Sequence, residues 1–233
     1  MNSATRIASA AVVVVGLLVA GLYVVGRLNP VPAPVIAGDV LGPDNGEEVS
    51  AYLARAEASL NGSGDARWAL VSLVVPMQTV DVWSLTQNTS MPLNTSTPRN
   101  ASTSLSQSIF NVPIDRVQTP TVAVPSGNTE SSFIASSQVA AESVLARSTG
   151  TERARTVGEV AAGRLRAGCA CVVGVVVRAP LDRLRTLAEM SQVRAVQALP
   201  ADASAGLFSV VPLLPAMTTV VAPTPDDGPI PAA

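Results

Sequence analysis

An uninterrupted apolar segment near the N-terminus constrains this chain more than any other feature. Residues 7–26, IASAAVVVVGLLVAGLYVVG, carry no charged side chain. A helix of that length spans about 30 Å, which matches the hydrocarbon core of a bilayer. Arg6 and Arg27 flank the segment, and Tyr23 lies near one end, where aromatic residues favour the membrane interface. The sequence therefore predicts a transmembrane helix over residues 7–26, with the lipid bilayer as its partner.

Two other interpretations of this segment remain open. A cleaved signal peptide would use Val35 and Ala37 as its small-residue cleavage pattern. That site lies well beyond the apolar run, and the run exceeds the usual apolar region of a signal peptide, about 7–15 residues. A buried soluble helix is disfavoured because no face of the segment is polar. We expect an uncleaved anchor.

The charges around the segment indicate its orientation. Arg6 and the amino terminus precede it, whereas no positive residue follows Arg27 until Arg55. Positive charge favours the cytoplasmic side. We therefore expect a cytoplasmic tail at 1–6 and a single-pass protein of the cell membrane whose bulk is extracytoplasmic. The proline-rich residues 27–43 suit a stiff stalk.

Composition excludes several classes of function. All 15 positively charged residues are arginine, and the sequence has no lysine and no histidine. Serine–histidine and cysteine–histidine nucleophiles, Schiff-base lysines and phosphate-loop lysines are therefore absent. Two cysteines without histidine cannot complete a common zinc site within one chain. We expect no catalytic, cofactor-binding or metal site, hence no enzyme, and the net charge of −2 argues against nucleic acid as a partner.

The remaining sequence predicts one α/β (α+β) domain over residues 44–215. Apolar runs and helical periodicity alternate along it, and caps mark several ends. Asp44 and Glu47 form a capping-box-like start for the first helix, and Gly168 is placed to stop a later one. The predicted helices begin near residues 44, 136, 151 and 181, and the predicted strands cover 67–76, 108–114, 116–124, 171–180, 193–200 and an edge strand within 206–215.

Two segments differ from this pattern in composition. Residues 86–107 are rich in serine, threonine and asparagine, which predicts a flexible insertion, and they contain N-x-S/T triplets at Asn88, Asn94 and Asn100. Residues 216–233 are proline-rich and polar, which predicts a disordered tail. Neither segment is expected to contribute to the core.

A faint repeat links two apolar regions. An offset of 104 residues places VSLVVPMQTVDVWSL on VVVRAPLDRLRTL, so that Pro76 meets Pro180 and Val80 meets Leu184. Short apolar runs also match by chance, so duplication stays open. If the repeat is real, it implies two strand–helix–strand units in a sandwich that is somewhat ferredoxin-like, with helices on one face of the sheet.

Cys169 and Cys171, within the stretch LRAGCACVVGVVVRAP, are the candidate site as a disulfide or thiol pair. They could be small buried residues at a helix-to-strand junction, a strained disulfide across one residue, or a redox or metal-transfer pair. The end of a helix disfavours a thiolate, although Arg164 and Arg166 partly compensate. The first two interpretations are favoured over active chemistry.

The segments RWALVSLVVP, ERARTVGEVAAGRLRAG and CACVVGVVVRAPLDRLRTLAEMSQVRAVQALP resemble uncharacterised membrane-anchored exported proteins of high-GC actinobacteria. The resemblance covers about residues 40–215 and implies a location and an architecture but no activity. We therefore expect an extracytoplasmic interaction or accessory module that binds another envelope or membrane protein. The alternative is a thiol-active envelope protein that uses the C-x-C pair.

Overall fold

The computed structural model describes residues 39–62, 64–87 and 103–231. This part of the chain is a mixed α/β structure with five helices and two sheets, which confirms the predicted class. The helices are α1 (Val49–Ala58), α2 (Thr79–Gln87), α3 (Glu130–Arg147), α4 (Glu152–Arg166) and α5 (Leu181–Ala188). The strands are β1 (Asp39–Leu41), β2 (Arg67–Met77), β3 (Ser104–Phe110), β4 (Val122–Pro125), β5 (Val172–Ala179), β6 (Val193–Ala198) and β7 (Phe208–Val210).

Several predictions lie outside the described residues. They are the cytoplasmic tail at 1–6, the membrane helix at 7–26, most of the stalk and residues 88–102 of the insertion. Among the helices formed by residues 39–62, 64–87 and 103–231, none combines the length and apolar character that a membrane span needs.

The main sheet interleaves two strand–helix–strand units. Its strand order is β4-β3-β5-β2-β6, and every neighbouring pair is antiparallel. Strand β5 therefore lies between β2 and β3, the two strands joined through α2, and β2 lies between β5 and β6, the two joined through α5. Along the chain, β4 and the α3–α4 pair lie between the two units.

The valine-rich strand β5 is buried on both of its faces. Val175 and Val177 belong to the core beneath the helices, whereas Val173 and Val176 belong to a second core on the opposite face. A central strand covered on both faces needs such a continuous apolar run. The sheet is therefore covered on two faces, whereas the sequence predicted helices on one face only.

A small second sheet helps to cover that opposite face. Strands β1 and β7 pair in parallel, and Leu41 packs into the second core. The rings of Trp68 and Phe208 lie 5.8 Å apart between their centroids. Residues 39–41, assigned to the stalk from sequence, are thus part of the domain. The strand expected within 206–215 exists at β7, but its partner is β1 and not the main sheet.

Helix α1 begins later than its capping signal predicted. Glu48 occupies the N-cap position and makes no side-chain cap. The Glu47 carboxylate instead accepts from the backbone N–H of Asp44, at 2.8 Å, and pairs with Arg55. The predicted capping box at Asp44 is wrong because Glu47 closes the turn before the helix. Tyr52 and other apolar residues of α1 then pack beside β6.

The middle of the chain departs from the predicted strands. Strand β3 begins at Ser104, so residues 104–107 belong to the sheet and not to a flexible insertion. Residues 111–121 form a loop where strands were predicted, and only β4 remains of the second strand. The Asn111 side chain holds this loop by donating to the Thr119 carbonyl, at 3.2 Å, and to the hydroxyl of Thr121, at 3.1 Å.

The C-terminal segment is packed against the domain as far as residue 231, contrary to the disordered tail expected over 216–233. Val221 is buried, and its backbone exchanges hydrogen bonds with Gly46 and Glu47. The guanidinium of Arg194 donates to the carbonyls of Leu214, at 3.0 Å, and Met217. The segment is ordered here because Val221 is buried and because backbone and side-chain groups of the domain satisfy its backbone groups.

Candidate functional site

Cys169 and Cys171 form a disulfide, with their Cα atoms 5.3 Å apart. The bond is the disulfide that the sequence left open for this pair, and neither cysteine is a free thiol in the structure. Both cysteines of the sequence are used in it. The site is thus a closed ring at the junction of α4 and β5.

The end of α4 sets the geometry of this ring. Gly168 has a φ of +76°, and the N–H of Cys169 donates to the Arg164 carbonyl at 3.1 Å. The N–H of Gly168 donates to the Leu165 carbonyl, also at 3.1 Å. These two bonds form a Schellman motif, in which glycine at the left-handed position ends a helix. The predicted stop at Gly168 is confirmed, and it turns Cys169 back towards the sheet.

The two sulfur-bearing residues differ in exposure. Cys171 is 1% exposed and belongs to the main core, whereas Cys169 is half-buried and Ala170 between them is exposed. The Cys171 carbonyl accepts from the Asn111 N–H at 2.9 Å. An attacking thiol would therefore reach the half-buried Cys169 first.

Nearby cations do not activate the pair. Arg164 donates to the Pro113 carbonyl at 2.9 Å, and Arg166 pairs with Glu142 at 2.7 Å. The sequence predicted that these arginines offset the unfavourable helix end, but the structure gives both of them other partners. With the negative end of the α4 dipole beside it, a Cys169 thiolate gains little stabilisation.

Metal binding has no support among the residues that the structure describes. They contain no group of three or more cysteine and acidic side chains that could hold an ion. Because the two cysteine sulfurs are bonded to each other, neither is available as a thiolate ligand for a metal.

An open cleft of about 740 Å³ lies beside the 111–121 loop. Residues 214–217 and 223–225 of the C-terminal segment form its other wall, and Val173 and Pro76 also line it. Its lining is mainly apolar, and its polar groups are the side chains of Asn111, Asp115, Arg116 and Gln118 together with threonine hydroxyls. The cleft is absent from the sequence-based predictions, because its walls come from segments about 100 residues apart and no local motif joins them.

A smaller depression of about 440 Å³ separates α1 from α5 and β6. Arg185 and Arg194 line it, but carbonyls already engage both guanidiniums: Arg185 donates to Leu60 at 2.8 Å, and Arg194 to Leu214 at 3.0 Å. This depression therefore has weaker binding potential than the larger cleft.

Comparison with known proteins does not assign the chain to a family. No family description, no curated protein and no solved structure matches it. The geometry of the molecule itself therefore has to support any functional conclusion.

Proposed function

We propose that the chain is an extracytoplasmic interaction module of the cell envelope, held at the membrane by residues 7–26. Its partner would be another envelope or membrane protein, and its fold a ferredoxin-like sandwich. The observation that carries the proposal is the Cys169–Cys171 disulfide, which involves both cysteines of the chain. Disulfides persist in oxidising compartments and are rare in the cytosol.

The cleft supports a role in binding rather than in catalysis. Its volume falls within the range of about 300–1,000 Å³ that is typical of binding sites. Asp115 and Arg116 are its charged lining residues, and they do not form the acid–base or nucleophile arrangement that catalysis requires. An open apolar wall with a few hydroxyl and amide groups suits an extended protein segment.

Thiol labelling in intact cells tests the location. A membrane-impermeant maleimide should label the cysteines only after reduction, because an exported disulfide blocks them. Two cysteines introduced into the Cys169→Ser, Cys171→Ser background provide matched controls: Ala135→Cys on the exposed face of α3, and Ser3→Cys before the apolar segment. We expect labelling of the first control and not of the second. The reverse pattern would refute the proposed orientation.

Thiol exchange is the second candidate, and the half-buried position of Cys169 favours it. In this step an external thiolate attacks the Cys169 sulfur, the S–S bond breaks, and Cys171 leaves as a thiolate. Equilibration with mixtures of reduced and oxidised glutathione, followed by thiol counting, measures whether the bond cycles. Full function in a Cys169→Ser, Cys171→Ser variant would eliminate this candidate.

A further inference from the structure

Two consecutive aspartates near the C-terminus bind to arginines of the domain. The Asp226 carboxylate accepts from Arg153 Nη2, at 3.1 Å, and from the backbone N–H of Gln118, at 3.0 Å. The Asp227 carboxylate accepts from both Nε, at 2.9 Å, and Nη2 of Arg116. A bidentate arginine contact adds geometric specificity to charge attraction. The domain thus recognises two adjacent carboxylates through separate guanidiniums.

Backbone contacts fix the neighbouring residues of this segment. The N–H of Gly228 donates to the Arg116 carbonyl at 2.7 Å, and the Gly228 carbonyl accepts from Arg153 Nη2 at 3.0 Å. The Gln118 side-chain amide donates to the Thr224 carbonyl. Contacts to main-chain groups on both sides of the aspartates hold the segment against the 111–121 loop and the start of α4.

The shape of this site selects glycine after the two aspartates. A Cβ atom on Gly228 would collide with the Asp115 carbonyl oxygen and approach the Arg116 Cβ at 2.9 Å. Arg116 itself has a φ of +54°, a conformation that few residues other than glycine adopt. The turn that presents Arg116 is therefore shaped around an Asp-Asp-Gly sequence.

The C-terminal segment can nevertheless be displaced from these arginines by another acidic segment. The side chains in these ion pairs are 38–63% exposed, and exposed pairs contribute little to stability and are screened by salt. Arg153, followed by the Gln118 N–H, holds the pKa of Asp226 below its usual 3.8, so the carboxylate stays charged near neutrality. Release of the tail breaks surface contacts and leaves the sheet intact.

We infer that Arg116, Gln118 and Arg153 form a binding site for an Asp-Asp-Gly segment of a partner protein, which residues 225–229 of the chain itself occupy when the partner is absent. This inference rests on the proposed interaction role and names the class of partner. Residues 223–225 also form one wall of the large cleft, so displacement of the tail would widen the cleft for the flanks of the partner segment.

The tether makes the tail a strong competitor. A segment linked to its own site acts at an effective concentration in the millimolar range. A free acidic peptide should therefore bind the wild-type chain weakly and bind a chain with a weakened tail more tightly. This difference in peptide affinity can be measured by comparing wild type with tail variants of the full-length chain, all purified in detergent.

The probe is a fluorescent peptide of residues 222–233, APTPDDGPIPAA, followed by fluorescence anisotropy. We compare wild type with two variants whose tails are weakened by different means, Asp226→Asn with Asp227→Asn, and Gly228→Ala. Both variants should bind the probe at least about tenfold more tightly than wild type. Added salt should weaken this binding, and a matched peptide with asparagines in place of both aspartates should bind at least about tenfold more weakly.

Adding Arg116→Gln and Arg153→Gln to the aspartate variant should abolish binding of the probe. Binding of the probe to this combined variant would overturn the inference. So would a failure of both tail variants to bind the probe, provided that their thermal unfolding curves match that of wild type. If the labelling of Ala135→Cys in intact cells still succeeds, the proposed extracytoplasmic function survives that failure. If Ala135→Cys is not labelled in intact cells but the probe binds, the binding site at Arg116, Gln118 and Arg153 is retained and only the proposed location is refuted.

Discussion

Val71 of β2 lies directly opposite Val175 of β5, between two central strands of the main sheet. The 104-residue offset seen in the sequence superposes these same two valines. Pairing is symmetric about them, because Leu70 faces Val176 and Ser72 faces Gly174. The pairing that joins the two strand–helix–strand units therefore passes through the two residues that the 104-residue offset superposes, and its register shifts further along, between Ser72 and Met77.

Gly174, next to this valine pair, should not tolerate a methyl group. A Cβ there would lie 2.8 Å from the Val71 carbonyl oxygen, so the two central strands would have to separate. Gly174→Ala should lower the free energy of unfolding by about 1–3 kcal/mol, as overpacking of a core does. Urea denaturation followed by circular dichroism measures this change.

Gly163 provides a matched control for that substitution. It lies in α4 and is exposed, and a Cβ added to it would meet no neighbouring atom within 4 Å. Gly163→Ala should raise the free energy of unfolding by about 0.5–1 kcal/mol, because alanine is the better helix former. Equal effects of the two alanines would contradict the proposed contact with Val71.

Gly168 should be required for its backbone conformation alone. Its φ is +76°, and no atom lies within 4 Å of a Cβ placed there. Gly168→Ala should cost about 1–2 kcal/mol because an L-residue is strained in the left-handed region. Gly168→Asn should cost less, since asparagine tolerates this position. Thermal unfolding of oxidised wild type, Gly168→Ala and Gly168→Asn ranks their stabilities. A Gly168→Asn protein less stable than Gly168→Ala would refute this explanation.

Tyr52 should make stability depend on alkaline pH. Burial raises the pKa of its hydroxyl to about 12; the nearby Ser72 opposes the shift, although neither hydroxyl reaches a partner at hydrogen-bond geometry. The folded chain thus keeps a proton that the unfolded chain loses above pH 10. The contribution of Tyr52 to the free energy of unfolding is therefore complete below pH 10. It falls by up to about 3 kcal/mol as the pH rises towards 12.

The composition makes this test specific to tyrosine. The chain has no lysine and both cysteines are bonded, so the tyrosines are the side chains whose ordinary pKa lies in this window. Urea midpoints measured from pH 9 to pH 11.5 should fall for wild type and stay nearly flat for Tyr52→Phe. The same slope in both proteins would assign the effect to the other tyrosine, Tyr23, or to the unfolded state.

Arg183 should anchor the two ends of the serine- and threonine-rich segment. It is 8% exposed, donates to the Thr86 carbonyl at 2.8 Å and to the Thr103 hydroxyl at 3.1 Å, and so joins the end of α2 to the start of β3. Arg183→Leu should cost about 2–3 kcal/mol because buried acceptors lose their donors.

An exposed arginine serves as the comparison for Arg183. Arg155 pairs with Glu152 at the surface of α4, where an ion pair contributes at most about 1 kcal/mol. Arg155→Leu should therefore change the urea midpoint much less than Arg183→Leu. Arg183→Lys should restore little of the loss, since lysine lacks the forked donors.

Local patterns predicted the parts of the fold that local physics controls. One strand–helix–strand unit was predicted from the apolar runs of β5 and β6 and from the helical spacing of α5. Buried strands and amphipathic helices leave such periodic signals in a sequence. The helix predicted to begin near residue 151 is α4, and Thr151 caps it by accepting from the Ala154 N–H at 3.1 Å. The cysteine pair could be proposed from sequence because its two members lie two residues apart.

The misassigned elements depend on individual side-chain contacts that follow no regular period along the chain. Asp44 looked like a helix cap until Arg55 and the preceding turn engaged Glu47. Residues 111–121 had strand-like composition, but the Asn111 amide closes them into a loop. Periodicity carries no information about such side-chain contacts.

Residue type and short-range spacing are enough to predict the α/β class, the central apolar strands, the stop at Gly168 and the chemical groups that the chain can offer. Long-range packing is needed to pair β1 with β7, to form a cleft beside the 111–121 loop and to bring Asp226 and Asp227 to Arg153 and Arg116. Those contacts join residues more than 70 positions apart. Chain folding, and not local propensity, brings them together.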